Sequence, residues 1–261
     1  MTLGGKQIVV TGAASGIGAS VAALLTASGA DVIGVDRNPP QLEMAGFFQA
    51  DLSDAGSIDA LIAALPGNID GLCNIAGLPP TASAPLVLSV NLFGLKRLTL
   101  GLASKLATGA SIVNLASLAG NGWAQSIDAI KAGLNFDLAA QDPAAFCAAW
   151  DIAGPRSYFY SKEAVIAWTL MSRWRWRDRG IRMNCVSPGP VETPILQDFI
   201  ATLGARAEED MRLMDRAGRA EDVAPAVAFL LSDVSAWIRG VNLPCDGGMF
   251  AHIQCAQSGL E

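Results

Sequence analysis

Short apolar runs alternate along this chain with longer segments in which apolar positions recur every three or four residues. The short runs predict buried strands at residues 7–11, 31–36, 46–50, 71–74, 111–115, 181–186 and 241–244. The longer segments predict helices at residues 16–28, 57–65, 85–106 and 221–231, and another from Lys162 to about residue 179. Strands that are apolar throughout are typical of parallel sheets with helices on both faces. With right-handed crossovers, the expected fold class is α/β, a doubly wound parallel sheet of the Rossmann type.

The composition favours one domain spanning residues 1–261. Apolar residues make up 51% of the chain, and no Pro-, Gly- or Ser-rich linker divides it. Residues 1–6 lack the features of a signal peptide, and no window is apolar enough to cross a membrane, so we expect a cytoplasmic protein. The single histidine, His252, is interpreted as a tail residue. The odd number of cysteines and their spacing predict buried free thiols rather than disulfides or metal ligands: Cys73, Cys147, Cys185, Cys245 and Cys255.

The formal net charge of −6 argues against a general nucleic-acid-binding protein. One local exception is residues 173–179, where arginines and tryptophans alternate. Such a pattern can stack on nucleic acid. We favour the alternative, that these cations end a helix and cover apolar surface with their aliphatic stems, while the tryptophans face the core or a partner subunit.

Three glycines follow the first predicted strand, with the spacing Gly-x-x-x-Gly-x-Gly at Gly12, Gly16 and Gly18. They permit a tight turn and let the backbone approach a pyrophosphate at the positive end of the next helix. Asp36 ends the second predicted strand, where a carboxylate accepts hydrogen bonds from ribose hydroxyls and repels a 2′-phosphate. This pattern favours NAD as the cofactor. Arg37 can pair with such a phosphate, so NADP remains the alternative.

Tyr158 and Lys162 are four positions apart at the start of an apolar helical run, on one helix face. A neighbouring cation favours the phenolate and is expected to lower the pKa of Tyr158 toward the working range of a proton-transfer group. Tyr160 has no lysine four residues later and is expected to line a pocket or to pack.

Taken together, these motifs resemble the short-chain dehydrogenase/reductase family over nearly the whole chain. Asp51-Leu52 is similar to the family's adenine-contacting pair, and Asn74-Ile75-Ala76-Gly77 to its Asn-Asn-Ala-Gly motif, with Ile75 as a departure. The resemblance implies that these residues contact the cofactor: Gly12, Ser15, Gly16, Ile17, Gly18, Asp36, Arg37, Asp51, Leu52, Asn74, Ala76, Gly77, Tyr158, Lys162, Pro188, Gly189, Val191 and Thr193.

The resemblance also implies four catalytic residues, Asn91, Ser117, Tyr158 and Lys162. Tyr158 is the expected general acid/base, and Ser117 donates a hydrogen bond to the substrate oxygen. Lys162 also holds the nicotinamide ribose, and Asn91 places a water that links Lys162 to solvent. The expected activity is NAD-dependent alcohol dehydrogenation or carbonyl reduction. The alternative is a non-catalytic NAD-binding sensor or scaffold, which needs only the nucleotide end.

Ser117 and Tyr158 are 41 positions apart, a much longer interval than typical members of the family have. The added stretch is about residues 121–156, and its pattern predicts two short helices that break near Asp142-Pro143. Two interpretations are open. The stretch walls a large apolar pocket, or it covers the helix face that many members use to form tetramers and so leaves a dimer. The two interpretations are compatible. A similar interval occurs in the bacterial 3α-hydroxysteroid dehydrogenase/carbonyl reductase group, which this chain resembles. That likeness implies a bulky hydrophobic secondary alcohol or ketone of steroid, terpenoid or aryl type, and a homodimer or homotetramer.

Residues 193–218 follow the predicted nicotinamide segment and are expected to form a mobile substrate lid. The alternative is that they pack simply on the sheet.

Overall fold

The computed structural model describes residues 3–204 and 212–260, and it confirms the predicted α/β fold. Seven parallel strands form one sheet in the order β3-β2-β1-β4-β5-β6-β9. The two remaining strands, β7 and β8, pair with each other outside it. The strands are β1 Gln7–Thr11, β2 Asp31–Asp36, β3 Gly46–Gln49, β4 Ile69–Asn74, β5 Leu106–Leu115, β6 Arg182–Pro188, β7 Val191–Glu192, β8 Gly218–Arg219 and β9 Asn242–Cys245.

Helices cover both faces of the sheet and bury one apolar core on each side. One core lies beneath the first and ninth helices, and the other beneath the second, third, fourth and seventh. The helices are α1 Gly16–Ala27, α2 Ala55–Ala64, α3 Ala84–Leu88, α4 Leu95–Gly101, α5 Ile127–Leu134, α6 Pro143–Ala149, α7 Arg156–Met171, α8 Leu196–Leu203, α9 Ala220–Leu231 and α10 Met249–Ser258. No helix in the described ranges is long and apolar enough to span a bilayer.

The predicted helix over residues 85–106 is interrupted and shorter than expected. A π-helical turn, Ser89–Gly94, joins α3 to α4, and α4 ends at Gly101. A Cβ atom at Gly94 would collide with the carbonyl oxygen of Leu52, so the widened turn lies directly against the neighbouring loop. Periodicity alone does not show such an approach.

The helix predicted to reach residue 179 ends at Met171, so that boundary is wrong. A chain of tight turns follows, and Gly180, with φ +68°, leads into β6. Trp176 packs against the core, whereas Trp174 is exposed and has the Arg173 guanidinium 4.4 Å from its ring centroid. Trp176 faces the core as the favoured interpretation holds, whereas the arginines lie beyond the end of α7 and not in its last turn.

The cysteines and the histidine meet the predictions to different degrees. All five cysteines are free thiols; Cys73, Cys147 and Cys185 are buried as predicted, whereas Cys245 and Cys255 are half-buried. The described residues contain no cluster of His, Cys, Asp and Glu suited to a metal ion. His252 is not a tail residue, since it lies within α10, a helix that the sequence pattern did not predict.

The 121–156 segment packs on the outer face of α7 and against α3. Its aromatic side chains form one cluster with Phe93 of the π-helical turn and Tyr160 of α7. The rings of Phe93 and Phe136 stack with their centroids 3.9 Å apart. Phe146 contacts both rings and Tyr160 edge-on or tilted. The buried Lys96 donates hydrogen bonds from its ammonium to the carbonyl groups of Leu134 (2.7 Å) and Phe136 (2.6 Å), at and just beyond the end of α5. Of the two interpretations of this segment, the structure favours the one in which it covers a helix face.

Arg182 is a buried cation that ties the end of α9 to the sheet. The side chain is 3% exposed, and its guanidinium donates to the carbonyl groups of Leu230 (3.1 Å), Ser232 (3.1 Å) and Ser235 (3.0 Å). Burial lowers its pKa. The three carbonyl groups lie at and beyond the C-terminus of α9, where a cation is favoured by the helix dipole.

We expect Arg182→Met to lower the free energy of unfolding by about 3 kcal/mol, because three buried carbonyl groups each lose a charge-assisted hydrogen bond. Urea denaturation of the purified protein measures this change. The exposed Arg177 provides the control, since Arg177→Met should alter stability by less than about 0.5 kcal/mol. Equal unfolding midpoints for the two variants would contradict this account of Arg182.

Candidate active site

Two adjoining cavities open at the carboxyl ends of the central strands. The first has a volume of about 210 Å³ and the second about 280 Å³. Both are lined by Ile17, Gly77, Leu115 and Thr193, so they form one continuous cleft. The crevice at the carboxyl ends of a doubly wound sheet is where such folds bind their ligands.

The turn between β1 and α1 forms a glycine cradle in the first cavity. A Cβ atom at Gly12, where φ is +73°, would lie 2.9 Å from the backbone nitrogen of Ala76. A Cβ atom at Gly18 would collide with the carbonyl oxygen of Gly12. Only glycine lets these two backbones approach, and the approach leaves the first turn of α1 open to the cavity. The amino end of that helix suits the phosphates of a dinucleotide.

Asp36 lies at the end of β2 and lines the first cavity beside Arg37. One carboxylate oxygen accepts a hydrogen bond from the backbone N–H of Ala14 (3.0 Å), and the other from that of Asn38 (3.0 Å). The carboxylate is thus held at the rim of the cavity, and Asp51 and Leu52 line the same space. This donor and acceptor set fits the adenosine half of a dinucleotide, as the sequence predicts.

The second cavity brings together Ser117, Tyr158 and Lys162. The Tyr158 phenol is hydrogen-bonded to the Ser117 side chain. The Lys162 ammonium lies 5.6 Å from the Tyr158 ring centroid and donates to the carbonyl oxygen of Leu115 at 2.8 Å. Tyr158 and Lys162 come from the first turns of α7, whereas Ser117 follows β5. The packing of α7 against the end of β5 therefore assembles a hydroxyl, a phenol and an ammonium around one space.

Burial has the largest effect on the pKa values of Tyr158 and Lys162. It raises the pKa of Tyr158 to about 12, and the hydrogen bond from Ser117 opposes that rise only in part. Burial also lowers the pKa of Lys162 to about 8, since the ammonium is removed from water. The pKa of Tyr158 is therefore raised overall, and the expected lowering toward the working range of a proton-transfer group is wrong for this arrangement. At neutral pH the site holds a protonated phenol beside an ammonium that is close to titrating.

Asn91 and Asn74 line neither cavity among the described residues. Asn91 is 1% exposed and braces Leu78, whose N–H donates to the amide oxygen (2.7 Å) and whose carbonyl accepts from the amide nitrogen (3.1 Å). It still borders the site, because a Cβ atom at Gly77 would lie 3.4 Å from Asn91 Oδ1 and 3.8 Å from Lys162 Nζ.

Asn74 lies deeper, and its side chain forms hydrogen bonds inside the core. The amide nitrogen donates to Thr99 Oγ1 (2.9 Å) and to Asn114 Oδ1 (2.8 Å). A cofactor contact by this side chain does not agree with that placement. The physical reason is that Asn74 is the last residue of β4 and points toward α4 rather than into the cleft.

The segment after β6 crosses the mouth of both cavities. Pro188, Gly189 and Val191 line the second cavity, and Thr193 lines both. A Cβ atom at Gly16 would lie 3.4 Å from the Thr193 methyl carbon, so this segment lies directly over the glycine cradle. In α8, the Asp198 carboxylate accepts a hydrogen bond from Thr81 Oγ1 across the cleft (2.7 Å). Of the predicted lid, residues 205–211 lie outside the described residues.

The other walls of the second cavity are apolar, and some of them come from residues that the motifs do not indicate. Phe159, inside the tyrosine motif, carries no distinguishing signal, and Ile253 comes from the unpredicted helix α10. Although the structure describes all of residues 121–156, none of them lines this cavity. The apolar wall residues are Leu118, Ala119, Phe159, Pro190, Val191, Ile195, Leu196 and Ile253.

Comparison with known families agrees with this geometry. A family model described as short chain dehydrogenase matches residues 6–133, and one described as enoyl-(acyl carrier protein) reductase matches residues 145–250. The coniferyl-alcohol dehydrogenase of Pseudomonas sp. (strain HR199 / DSM 7063) is 45% identical over 251 residues, which cover 95% of this chain and 98% of that protein.

Two further relatives carry names of the predicted group. The 3-alpha-hydroxysteroid dehydrogenase/carbonyl reductase of Comamonas testosteroni is 29% identical, over 96% of this chain and 98% of that protein. Among solved structures, the 3-alpha-hydroxysteroid dehydrogenase of Pseudomonas sp. B-0831, in complex with NADH, has a TM-score of 0.82 and 34% identity. The match covers 96% of this chain and 99% of that one. The resemblance inferred from the motifs is confirmed.

We expect Lys162→Met to change the pH dependence of stability. Unfolded lysine titrates near ~10.4, whereas the pKa of folded Lys162 is about 8. Between these values the unfolded state binds more protons, so the wild-type protein gains stability from this group as the pH rises. The gain is lost as the pH falls through about 8, and the variant lacks it.

Urea denaturation near neutral pH and near pH 10 tests this expectation. The stability of the Lys162→Met variant relative to the wild type should be higher at neutral pH than near pH 10. Lys131→Met, at a lysine whose side chain is 67% exposed, is the control and should show the same difference at both pH values. Parallel stability curves for wild type and Lys162→Met would refute the lowered pKa.

Proposed function

Because the chain belongs to the short-chain dehydrogenase/reductase family, we propose that it is an NAD-dependent oxidoreductase acting on bulky hydrophobic alcohols and the corresponding carbonyl compounds. One observation carries the proposal. Ser117, Tyr158 and Lys162 converge in the apolar cavity, which shares part of its wall with the glycine-lined cavity. A non-catalytic NAD sensor would need the first cavity alone.

In the proposed mechanism the nicotinamide supplies or accepts the hydride, and the chain handles the proton and the orientation. Ser117 and Tyr158 bind the substrate oxygen by hydrogen bonds and hold the carbinol carbon in the apolar cavity. Tyr158 moves the proton at that oxygen. Its raised pKa keeps the phenol protonated at neutral pH, which suits donation to a carbonyl oxygen.

Lys162 acts on this proton transfer by its charge. As the phenolate forms, an ammonium close to the same ring stabilises the developing anion. The carbonyl of Leu115 holds that ammonium in place, and Asn91 braces the loop that passes beside it. We therefore assign Lys162 and Asn91 to the support of Tyr158.

For the cofactor we propose NAD. The Asp36 carboxylate, already held at the cavity rim by two backbone N–H groups, is placed to accept hydrogen bonds from ribose hydroxyls. The negative charge of this carboxylate would repel a 2′-phosphate. Arg37 lines the same cavity and is the feature that supports NADP as the alternative.

For the substrate we propose an aryl alcohol of the coniferyl type. The apolar walls beyond Ser117 and Tyr158 suit a flat ring, and the relative with 45% identity is named for coniferyl alcohol. Hydroxysteroids are the second class to test, because two further relatives are named for them. Close relatives of one fold can differ in substrate, so a panel of both classes is required.

We further propose a cytoplasmic homodimer. The free cysteines agree with a reducing compartment. The 121–156 segment covers the outer face of α7, which favours a dimer through another surface over a tetramer that uses that face.

We expect Tyr158→Phe to leave NAD binding nearly unchanged and to lower turnover by about 10²–10⁴-fold, because the variant lacks the group that moves the proton. Tyr160→Phe is the matched control. Tyr160 lies two residues later but packs away from the cavities, with its hydroxyl donating to the carbonyl of Ala129 at 2.7 Å.

Absorbance of reduced nicotinamide with aryl alcohols and hydroxysteroids measures turnover, and fluorescence titration measures NAD binding. Tyr160→Phe should retain turnover within a few-fold. Near-normal turnover in Tyr158→Phe would disprove the assignment of the acid/base. Wild-type NAD binding without turnover of any substrate would favour the sensor.

We expect Asp36→Asn to reduce the ratio of kcat/KM with NAD to kcat/KM with NADP by at least about tenfold. The reason is that it removes a charge-assisted acceptor for the ribose and a repulsion toward the 2′-phosphate. Asp31→Asn, at the exposed opposite end of β2, is the control and should leave the ratio unchanged. An unchanged ratio in Asp36→Asn would contradict the proposed role of this carboxylate.

A further inference from the structure

The C-terminal helix α10 contributes a side chain to the apolar cavity that none of the sequence motifs explains. Ile253 lines this cavity together with Ser117 and Tyr158, although it lies far from both along the chain. The helix begins directly after β9. The Asp246 carboxylate anchors its start by accepting hydrogen bonds from the N–H groups of Gly248 (3.0 Å) and Phe250 (2.8 Å).

The orientation of Ile253 follows from the two faces of α10. Met249 is 3% exposed and packs inward, and Ile253 lies one helical turn later on the same face. The neighbouring His252 and Gln254 are exposed. The helix therefore presents one apolar edge to the molecule, and Ile253 is the part of that edge that reaches the cavity.

The chemistry of the cavity divides the substrate into two parts. The hydroxyl groups of Ser117 and Tyr158 and the ammonium of Lys162 are the polar side-chain groups placed to meet the substrate oxygen. The walls beyond them include Phe159, Leu196 and Ile253 and are apolar. A group attached to the carbinol carbon must displace water from these walls, and their shape decides how large it can be.

We propose that Ile253 is a specificity-determining residue that sets the size of the apolar group carried by the carbinol carbon. The inference rests on the proposed function, since it concerns the substrate of the same site. Ile253 touches no reacting atom in this account. Its substitution should change the choice among alcohols and leave the handling of NAD unaltered.

The test compares Ile253→Trp, Ile253→Ala and the matched control Gln254→Trp, which adds the same side chain on the exposed face of α10. The substrates are but-2-en-1-ol, cinnamyl alcohol and coniferyl alcohol, which share an allylic alcohol and increase in size, and one 3α-hydroxysteroid. For each, kcat/KM is measured with saturating NAD, and NAD binding is titrated separately. Thermal unfolding checks that all three variants are folded.

Ile253→Trp should lower kcat/KM for the largest substrate that the wild type oxidises by about tenfold or more relative to the smallest. Ile253→Ala should raise KM for the aryl alcohols several-fold with little change in kcat, because it removes an apolar contact made by substrate and transition state alike. NAD affinity should match the wild type in each variant. Gln254→Trp should keep the wild-type order of preference.

The outcomes separate the two proposals. If the wild type oxidises these alcohols and both Ile253 variants keep its ratios among them, the role of Ile253 is refuted and the proposed function stands. If the wild type binds NAD and oxidises none of them, both fail. If Ile253→Trp does not fold, an unchanged KM in Ile253→Ala is sufficient to overturn the inference. A change of ratio that also appears in Gln254→Trp overturns it as well.

Discussion

The contact between the Lys162 ammonium and the Leu115 carbonyl is the interaction on which the candidate active site depends. It joins α7 to the end of β5 at 2.8 Å. Tyr158 lies one turn before Lys162 and Ser117 lies two residues after Leu115, so this one bond places both hydroxyl groups. Lys162 is 4% exposed, and a buried cation without an acceptor is strongly unfavourable. The site is therefore arranged by the same interaction that compensates for the burial of its charge.

The opposite face of α7 is held by the 121–156 segment. Arg156, the first residue of α7, forms an ion pair with Glu163 of the same helix (2.7 Å) and donates a further hydrogen bond to Ser126 of the segment (2.8 Å). The Tyr160 hydroxyl donates a hydrogen bond to the carbonyl of Ala129 in the same segment. Helix α7 is thus packed on both sides, with the cleft on one and the segment on the other. The segment supports the position of α7, and none of its residues, which the structure describes in full, lines either cavity.

Much of this arrangement could be predicted because the relevant signals are local. Five-residue and six-residue apolar runs gave β1 and β2 with their observed bounds, and the glycine spacing predicted the cradle. Each of these depends on a few adjacent residues and on steric rules that hold in any fold. Asn74 shows the limit. Its motif was recognised, but the direction of its side chain depends on Thr99 and Asn114, which are distant in sequence.

The sequence by itself determined the parallel sheet, the glycine turn after β1 and the acid at the end of β2, and it indicated Tyr158 as the proposed proton-transfer group. It did so because backbone sterics, periodicity and side-chain chemistry act over a few residues. Only the tertiary structure decided which wall each distant segment forms. It placed the 121–156 segment behind α7, brought Ile253 of α10 into the cleft, and made burial the largest influence on the pKa of Tyr158. These outcomes depend on which surfaces exclude water together, and that is set by packing between residues far apart in the chain.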